Sequence, residues 1–272
     1  MRAKPAEEVS MKKAILAVLT AVLLTSGLLA GCVGERILVV GSENLETREM
    51  DFSGFTRVDA GYAFEVEVDQ SDSYSVSITA DDNLFEYIDV SQEGQTLKIG
   101  LTSTITIRHR ALKAEVTMPE LYGLGLSGAA RGTVAGFSSS EDLEFDLSGA
   151  SSLDVDDMSA ADIEFDLSGA SQVSGDITAS GDADFNLGGA SKAELAGSAN
   201  NMRVVASGAS RLGLDDFAVQ NADVSLSGAS RATVNLDGRL DADLSGASKL
   251  WYIGEPTMGD IHSSGGSTLS KK

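Results

Sequence analysis

The 272-residue chain has one cysteine, three prolines, one tryptophan and two histidines. A single cysteine excludes a disulfide within the chain, so stability has to come from burial and hydrogen bonding. Few prolines leave long stretches free to pair as unbroken ladders, because proline cannot donate to a sheet. Two histidines, His109 and His262, leave little material for a general base. Basic residues are scarce too: 20 Lys and Arg stand against 41 Asp and Glu, for a net charge of −21. That excludes nucleic acid as a partner, since its binders need a basic footprint. It also excludes broad contact with anionic lipid surfaces, and it favours solubility and cation binding.

The N-terminus carries export features. Residues 1–10 are polar, with the character of an upstream start. Met11-Lys12-Lys13 is a cationic lead, and Ala14 to Leu29 is an apolar run broken by Thr20, Thr25, Ser26 and Gly27. Leu29-Ala30-Gly31-Cys32 closes it. This is the layout of a signal peptide, and the last four residues resemble a bacterial lipobox. The resemblance implies removal of residues 1–31 and lipidation of Cys32. The expected location is therefore exported and membrane-attached through an N-terminal lipid, at the outer membrane where the organism has one. The first 31 residues hold four basic and two acidic side chains, a net of +2, which leaves −23 for the rest. Residues 32–50 read mostly as a tether, in which Ile37 to Val40 can add an edge strand.

From residue 51 the pattern is β. Phe64-Glu65-Val66-Glu67-Val68 and Tyr74-Ser75-Val76-Ser77-Ile78 alternate with period two, the mark of half-buried strands. A single helical turn is expected at Leu84–Ile88. Beyond residue 120 the tetrapeptide Ser-Gly-Ala-Ser, or a near copy, recurs. Its glycines are Gly128, Gly149, Gly169, Gly189, Gly208, Gly228 and Gly246, spaced 21, 20, 20, 19, 20 and 18 residues apart. A worn copy follows at Ser264-Gly265-Gly266-Ser267. A fixed period of this size means stacked coils.

The residues two before each glycine (Leu126, Leu147, Leu167, Leu187, Ala206, Leu226, Leu244) form one apolar column. The residues four before (Leu124, Phe145, Phe165, Phe185, Val204, Val224, Ala242) form another. A second face has its own column at Val134, Val155, Gly175, Leu195, Leu214, Val234 and Tyr252. The remaining eight or so residues of each period suit a third short strand. At the corner, the glycine is expected to turn the backbone and the alanine to point inward, with the serines bonding to a neighbouring coil. Parallel crossovers are nearly always right-handed. The fold class is therefore all-β: a right-handed parallel β-helix (β-solenoid) of about 20 residues per coil, over 51–270. Residues 51–120 are irregular N-terminal coils or a cap, and 121–270 are the regular repeats. Trp251-Tyr252 and the Gly-Ser tail are candidate caps at the other end.

Several features point to a family. The lipobox, the strand Phe64 to Val68 and the turn Ala80-Asp81-Asp82-Asn83-Leu84 belong to the set. So do Leu97-Lys98-Ile99, Val116-Thr117-Met118-Pro119 and the entry into repeats at Leu126-Ser127-Gly128-Ala129. In this order they resemble bacterial envelope lipoproteins of uncharacterised function, the "putative auto-transporter adhesin, head GIN domain" family, over roughly 52–270. Near Gly61-Tyr62-Ala63-Phe64 the Gly-Ile-Asn motif that names the family is absent. The resemblance implies a β-solenoid and a surface location, and names no ligand.

Candidate chemistry is sparse. Gly123-Leu124-Gly125-Leu126-Ser127-Gly128 matches the dinucleotide-binding spacing, but that motif needs a following helix, and here it sits in the repeat register; no nucleotide is expected. The recurrent serines lack a recurring base and orienting group, so no residue is assigned a catalytic role and the protein is read as no enzyme. Asp146, Asp166 and Asn186 form an outward ladder. It calls for no cofactor, although such a row can attract calcium. Arg108-His109-Arg110 is a small basic island at a strand end. The reading reached from sequence is a lipid-anchored, non-enzymatic adhesion or scaffold module with an unknown surface ligand, protein or glycan. The alternative is an envelope protein that binds or cleaves glycans, since paired carboxylates can hydrolyse glycosides. An accessory to envelope sensing is a third reading.

Overall fold

The computed structural model describes residues 37–102, 105–108 and 111–272. The signal segment, Cys32, His109 and Arg110 lie outside the described residues. A two-stranded sheet pairs Ile37–Val40 with Ile105–Arg108. Residues 37–39 and 105–106 belong to a small unit, and the other described residues form a large one. Among the described residues there is no α-helix. The only helical turn among the described residues is a 3-10 element at Asp82–Leu84, two residues earlier than its expected start.

The large unit is built from two sheets. One has eleven strands, in the order Thr257–Ser263, Arg239–Leu244, Asn221–Leu226, Asn201–Ala206, Ala183–Leu187, Ile163–Leu167, Leu143–Leu147, Gly123–Leu126, Arg57–Ala60, Thr96–Leu101 and Ile88–Glu93. The other has twelve: Leu45–Met50, Ser75–Asp81, Leu112–Met118, Glu65–Gln70, Arg131–Ala135, Ser152–Ala160, Gln172–Ala179, Lys192–Ser198, Arg211–Val219, Arg231–Leu236, Lys249–Ile253 and Thr268–Lys271. The chain runs from a strand of the first sheet through the Ser-Gly-Ala-Ser corner to a strand of the second, then back one rung further on. The result is a β-solenoid of about 20 residues per coil.

Register follows the repeat. Phe145 pairs with Phe165 and Phe165 with Phe185; Leu147, Leu167 and Leu187 align in the same way. One coil cannot bury these side chains, and the stack does. The rings of Phe145 and Phe165 stack with centroids 4.8 Å apart, and those of Phe165 and Phe185 at 5.4 Å. Phe217 crosses from the second sheet and meets Phe185 edge-on at 5.9 Å. All four are buried.

The corner explains the tetrapeptide. Gly149 and Gly169 have φ of +75° and +73°, in the left-handed region. A Cβ on Gly169 would also lie 2.5 Å from the carbonyl oxygen of Gly149 one coil back. That contact is close because the corners are hydrogen-bonded to one another: the Ala170 N–H donates to Gly149 O, and the Ala150 N–H to Gly128 O, each at 2.7 Å. The alanine does not point inward as expected. Ala150 and Ala170 are exposed, while Ser151 and Ser171 are buried. After the left-handed glycine the alanine lies on the outside of the turn, and the next residue is the one that faces the core. A serine suits that place because its hydroxyl finds two carbonyls. Ser171 Oγ donates to Ser168 O at 2.9 Å and approaches Leu147 O of the preceding coil at 3.3 Å.

No separate third strand forms. The second-sheet strands are long, Ser152–Ala160 for instance, and bend at an irregularity between Val155 and Met158. The bend lets one strand serve both remaining sides of the coil.

Residues 57–118 continue the solenoid, but not in chain order. Arg57–Ala60 and Glu65–Gln70 pair in parallel with Gly123–Leu126 and Arg131–Ala135. Thr96–Leu101 and Leu112–Met118 make the next rung outward. Antiparallel strands then close this end: Ile88–Glu93 on one sheet, Ser75–Asp81 and Leu45–Met50 on the other. They cover the ladder edge that a terminal coil leaves open. Residues 45–50 are therefore strand rather than tether. At the opposite end, Trp251 and Tyr252 do not cap the stack. They lie in Lys249–Ile253, one rung inside Thr268–Lys271, with which that strand pairs.

Candidate functional site

The outward side chains of the first sheet repeat in two columns. One runs Arg57, Gly123, Glu144, Glu164, Asp184, and the other Asp59, Gly125, Asp146, Asp166, Asn186. Neighbouring rungs of a sheet lie about 4.8 Å apart, so these columns bring together carboxylates that are twenty residues apart in sequence. Shallow grooves run along both margins of this face. One of about 390 Å³ lies beside Asp146, Asp166, Asn186 and Ser207. Another, of about 470 Å³, is lined by Arg57, Tyr122, Glu144, Glu164 and Asp184. A third, of about 530 Å³, lies towards the capped end, against Asp59, Tyr62, Lys98 and Gly125.

The crowding shows in proton affinity. Partial burial pushes the Asp146 carboxyl above the usual carboxylate range, and Glu144 and Asp166 add to it. Burial also raises Glu164, with Asp166, Glu144 and Asp184 beside it. Asn186 interrupts the ladder with a neutral group, and its amide lies 3.5 Å from a Glu164 oxygen.

The Gly123-x-Gly125 pair has a local cause. A Cβ on Gly123 would meet the Arg57 guanidinium at 2.6 Å, and one on Gly125 would meet Asp59 Oδ1 at 2.4 Å. Both side chains fold over this bare backbone. Arg57 crosses it to form an ion pair with Glu144, two rungs away. The glycines make room for side chains, and a strand follows at Arg131–Ala135 where the nucleotide motif needs a helix.

Asp146, Asp166 and Asn186 do occupy successive rungs. Their side chains leave one face in parallel and do not converge on a centre. Among the described residues no group of three or more His, Cys, Asp or Glu is arranged to hold a metal ion. The buried corner serines Ser151, Ser210 and Ser230 are committed to backbone carbonyls, and Ser191 alone among the described buried corner serines has no side-chain hydrogen-bond partner. His262 pairs in register with Asp243 and lies on the exposed surface.

Sequence reading missed two arrangements. The contact between Arg57 and Glu144 spans 87 residues and depends on out-of-order stacking, so no local signal marks it. The second was legible: the residue directly after four consecutive tetrapeptides is Lys192, Arg211, Arg231 and Lys249.

Comparison with known proteins gives both family and fold. The family described as "Putative auto-transporter adhesin, head GIN domain" matches residues 54–256. No curated relative matches at a significant level. Among solved structures, one described as a putative adhesin from Parabacteroides merdae is 16% identical, with a TM-score of 0.77; the match covers 87% of this chain and 99% of that one. A putative adhesin from Parabacteroides distasonis is 17% identical with a TM-score of 0.77, covering 86% of this chain and 100% of the other. A protein from the same species described as a putative lipid binding protein is 19% identical with a TM-score of 0.75, over 86% and 99%. At these identities the likeness is one of fold.

Proposed function

Since this chain belongs to the family described as "Putative auto-transporter adhesin, head GIN domain", we propose that it is a non-enzymatic adhesion module of the cell envelope, held there by lipid on Cys32. The contact surface in this reading is the outer face of the first sheet. One observation carries it: the same polar groups return in register on rung after rung, at Glu144, Glu164 and Asp184 and at Asp146, Asp166 and Asn186. An enzyme concentrates its chemistry at one unique place, whereas an adhesive surface gains from many equivalent contacts. The negative face favours a partner protein with a basic surface.

Two measurements on producing cells test this. Cys32→Ala should release the protein from the membrane fraction and abolish adhesion; retention in the membrane would remove the lipid anchor from the reading. Asp146→Asn with Asp166→Asn should weaken adhesion while leaving the thermal melt intact. Unchanged adhesion would exclude this face as the contact surface.

A further inference from the structure

The second sheet carries a feature of opposite sign. Lys192 pairs in register with Arg211, Arg211 with Arg231, and Arg231 with Lys249. Four successive rungs therefore present a cation at the same place, just past the Ser-Gly-Ala-Ser corner. Like charges directly opposite one another on neighbouring strands destabilise a sheet, so the fold carries this row at a cost. The protein has twice as many acids as bases, and several of its other cations are paired, Arg48 with Glu46 at 2.9 Å, Arg239 with Asp241 at 2.7 Å and Lys113 with Glu115 at 2.7 Å, while Arg131 and Arg203 stand singly rather than in a row. Within the row only Lys192 has such a partner, Glu194 at 2.7 Å. Arg211, Arg231 and Lys249 are exposed and form no ion pair among the described residues.

Glu194, in register with Gly213, is held by Lys192, and the groups on the same rungs as Arg211, Arg231 and Lys249 are neutral on both sides. The adjoining outward column, aligned rung by rung, is Gly213, Thr233 and Trp251. On the other side are the exposed corner alanines Ala209, Ala229 and Ala247. The stripe ends at Trp251, the chain's one tryptophan, part-exposed and two residues from Lys249 on the same outward face.

We propose that Arg211, Arg231 and Lys249, with Trp251 beside them, bind a linear acidic polysaccharide. Cations recurring at about 4.8 Å suit a polymer with an anionic group on each sugar, and Trp251 offers an aromatic face for a sugar ring. Single-stranded nucleic acid is a poorer match, because it is held by several aromatic platforms for successive bases and this stripe has one. The site lies on the sheet opposite the acidic face and does not rest on the adhesion reading.

The test uses the purified chain in buffer free of divalent cations. Polygalacturonate, the same polymer fully methyl-esterified, oligothymidylate, and phosphatidylglycerol vesicles are each titrated by calorimetry and by Trp251 fluorescence. The expected result is saturable binding of polygalacturonate with a change in Trp251 emission, weakened by added salt and absent with the esterified polymer. Arg211→Gln/Arg231→Gln/Lys249→Gln should weaken it at least ten-fold with an unchanged melt, while Asp146→Asn/Asp166→Asn should not weaken it. No binding by the wild type, or equal binding by the triple variant, would overturn the proposal. So would equal or tighter binding of oligothymidylate or vesicles, which would assign the stripe to nucleic acid or to a membrane.

Discussion

Arg57 reaches over the backbone of Gly123 to an ion pair with Glu144, on the acidic face of the first sheet. Both partners are more than a third exposed, so the pair itself contributes at most about 1 kcal/mol. Its larger effect is on the neighbouring carboxylates. Arg57 lowers the proton affinity of Asp146 against burial, Glu144 and Asp166, which raise it. Arg57→Gln should therefore raise the Asp146 pKa further, as followed by carboxyl-carbon NMR over a pH series. An unmoved titration would mean that solvent already screens the guanidinium from Asp146.

The same face sets a pH dependence. Asp146 and Glu164 have folded pKa values raised above those of the unfolded chain. The folded protein thus binds more protons across the carboxylate range, and these two groups make it less stable as pH rises through that range. Asp146→Asn with Glu164→Gln should be more stable than the wild type at neutral pH, and the gain should vanish in acid. Asp241 works the other way. The Arg239 guanidinium holds its carboxyl down to about 2, so its contribution is present at neutral pH and fades as pH falls towards that value. Denaturant melts of the double variant at several pH values check the first sign, and those of Asp241→Asn the second.

Much of this was legible in the sequence, and the reasons are physical. Strand, corner and period follow from alternation and from the glycine spacing, because stacked coils force like residues into register. The columns through Phe145, Phe165 and Phe185 could be named from sequence alone. What could not be read depends on direction or on distant pairing. Whether Ala170 or Ser171 faces the core is decided by the left-handed turn at Gly169, and composition favours the wrong one. The strand Leu45–Met50 is short and charged, and only its antiparallel partner Ser75–Asp81 makes it a strand. Arg57 meets Glu144 because the coil of 96–118 stacks outside the coil of 57–70, which no periodicity announces.

The corner gives a sharp contrast between adjacent residues. Gly169→Ala should cost about 1–2 kcal/mol for the left-handed conformation alone, and more from the contact with Gly149 O. Ala170→Ser should change stability by under about 0.5 kcal/mol, since that side chain is exposed. Urea melts of the two variants decide it. Equal losses would mean that the alanine is packed after all.

The buried serines are not equivalent either. Ser171 Oγ has its carbonyl partners, whereas Ser191 Oγ is buried with no hydrogen-bond partner among the described residues. Ser171→Ala should cost about 1 kcal/mol for the lost bond. Ser191→Ala should be neutral or stabilising, because it removes an unsatisfied hydroxyl. Matched thermal melts of the two variants check the difference.

The central claim is that a repeating acidic face, carried on the cell surface, makes contact with a partner. The most direct measurement is adhesion of a producing strain lacking this protein, complemented with the wild type or with Asp146→Asn/Asp166→Asn at equal surface amounts. The account predicts that deletion lowers adhesion, that the wild type restores it, and that the neutralised face does not. Full restoration by the neutralised variant, or normal adhesion without the protein, would contradict it.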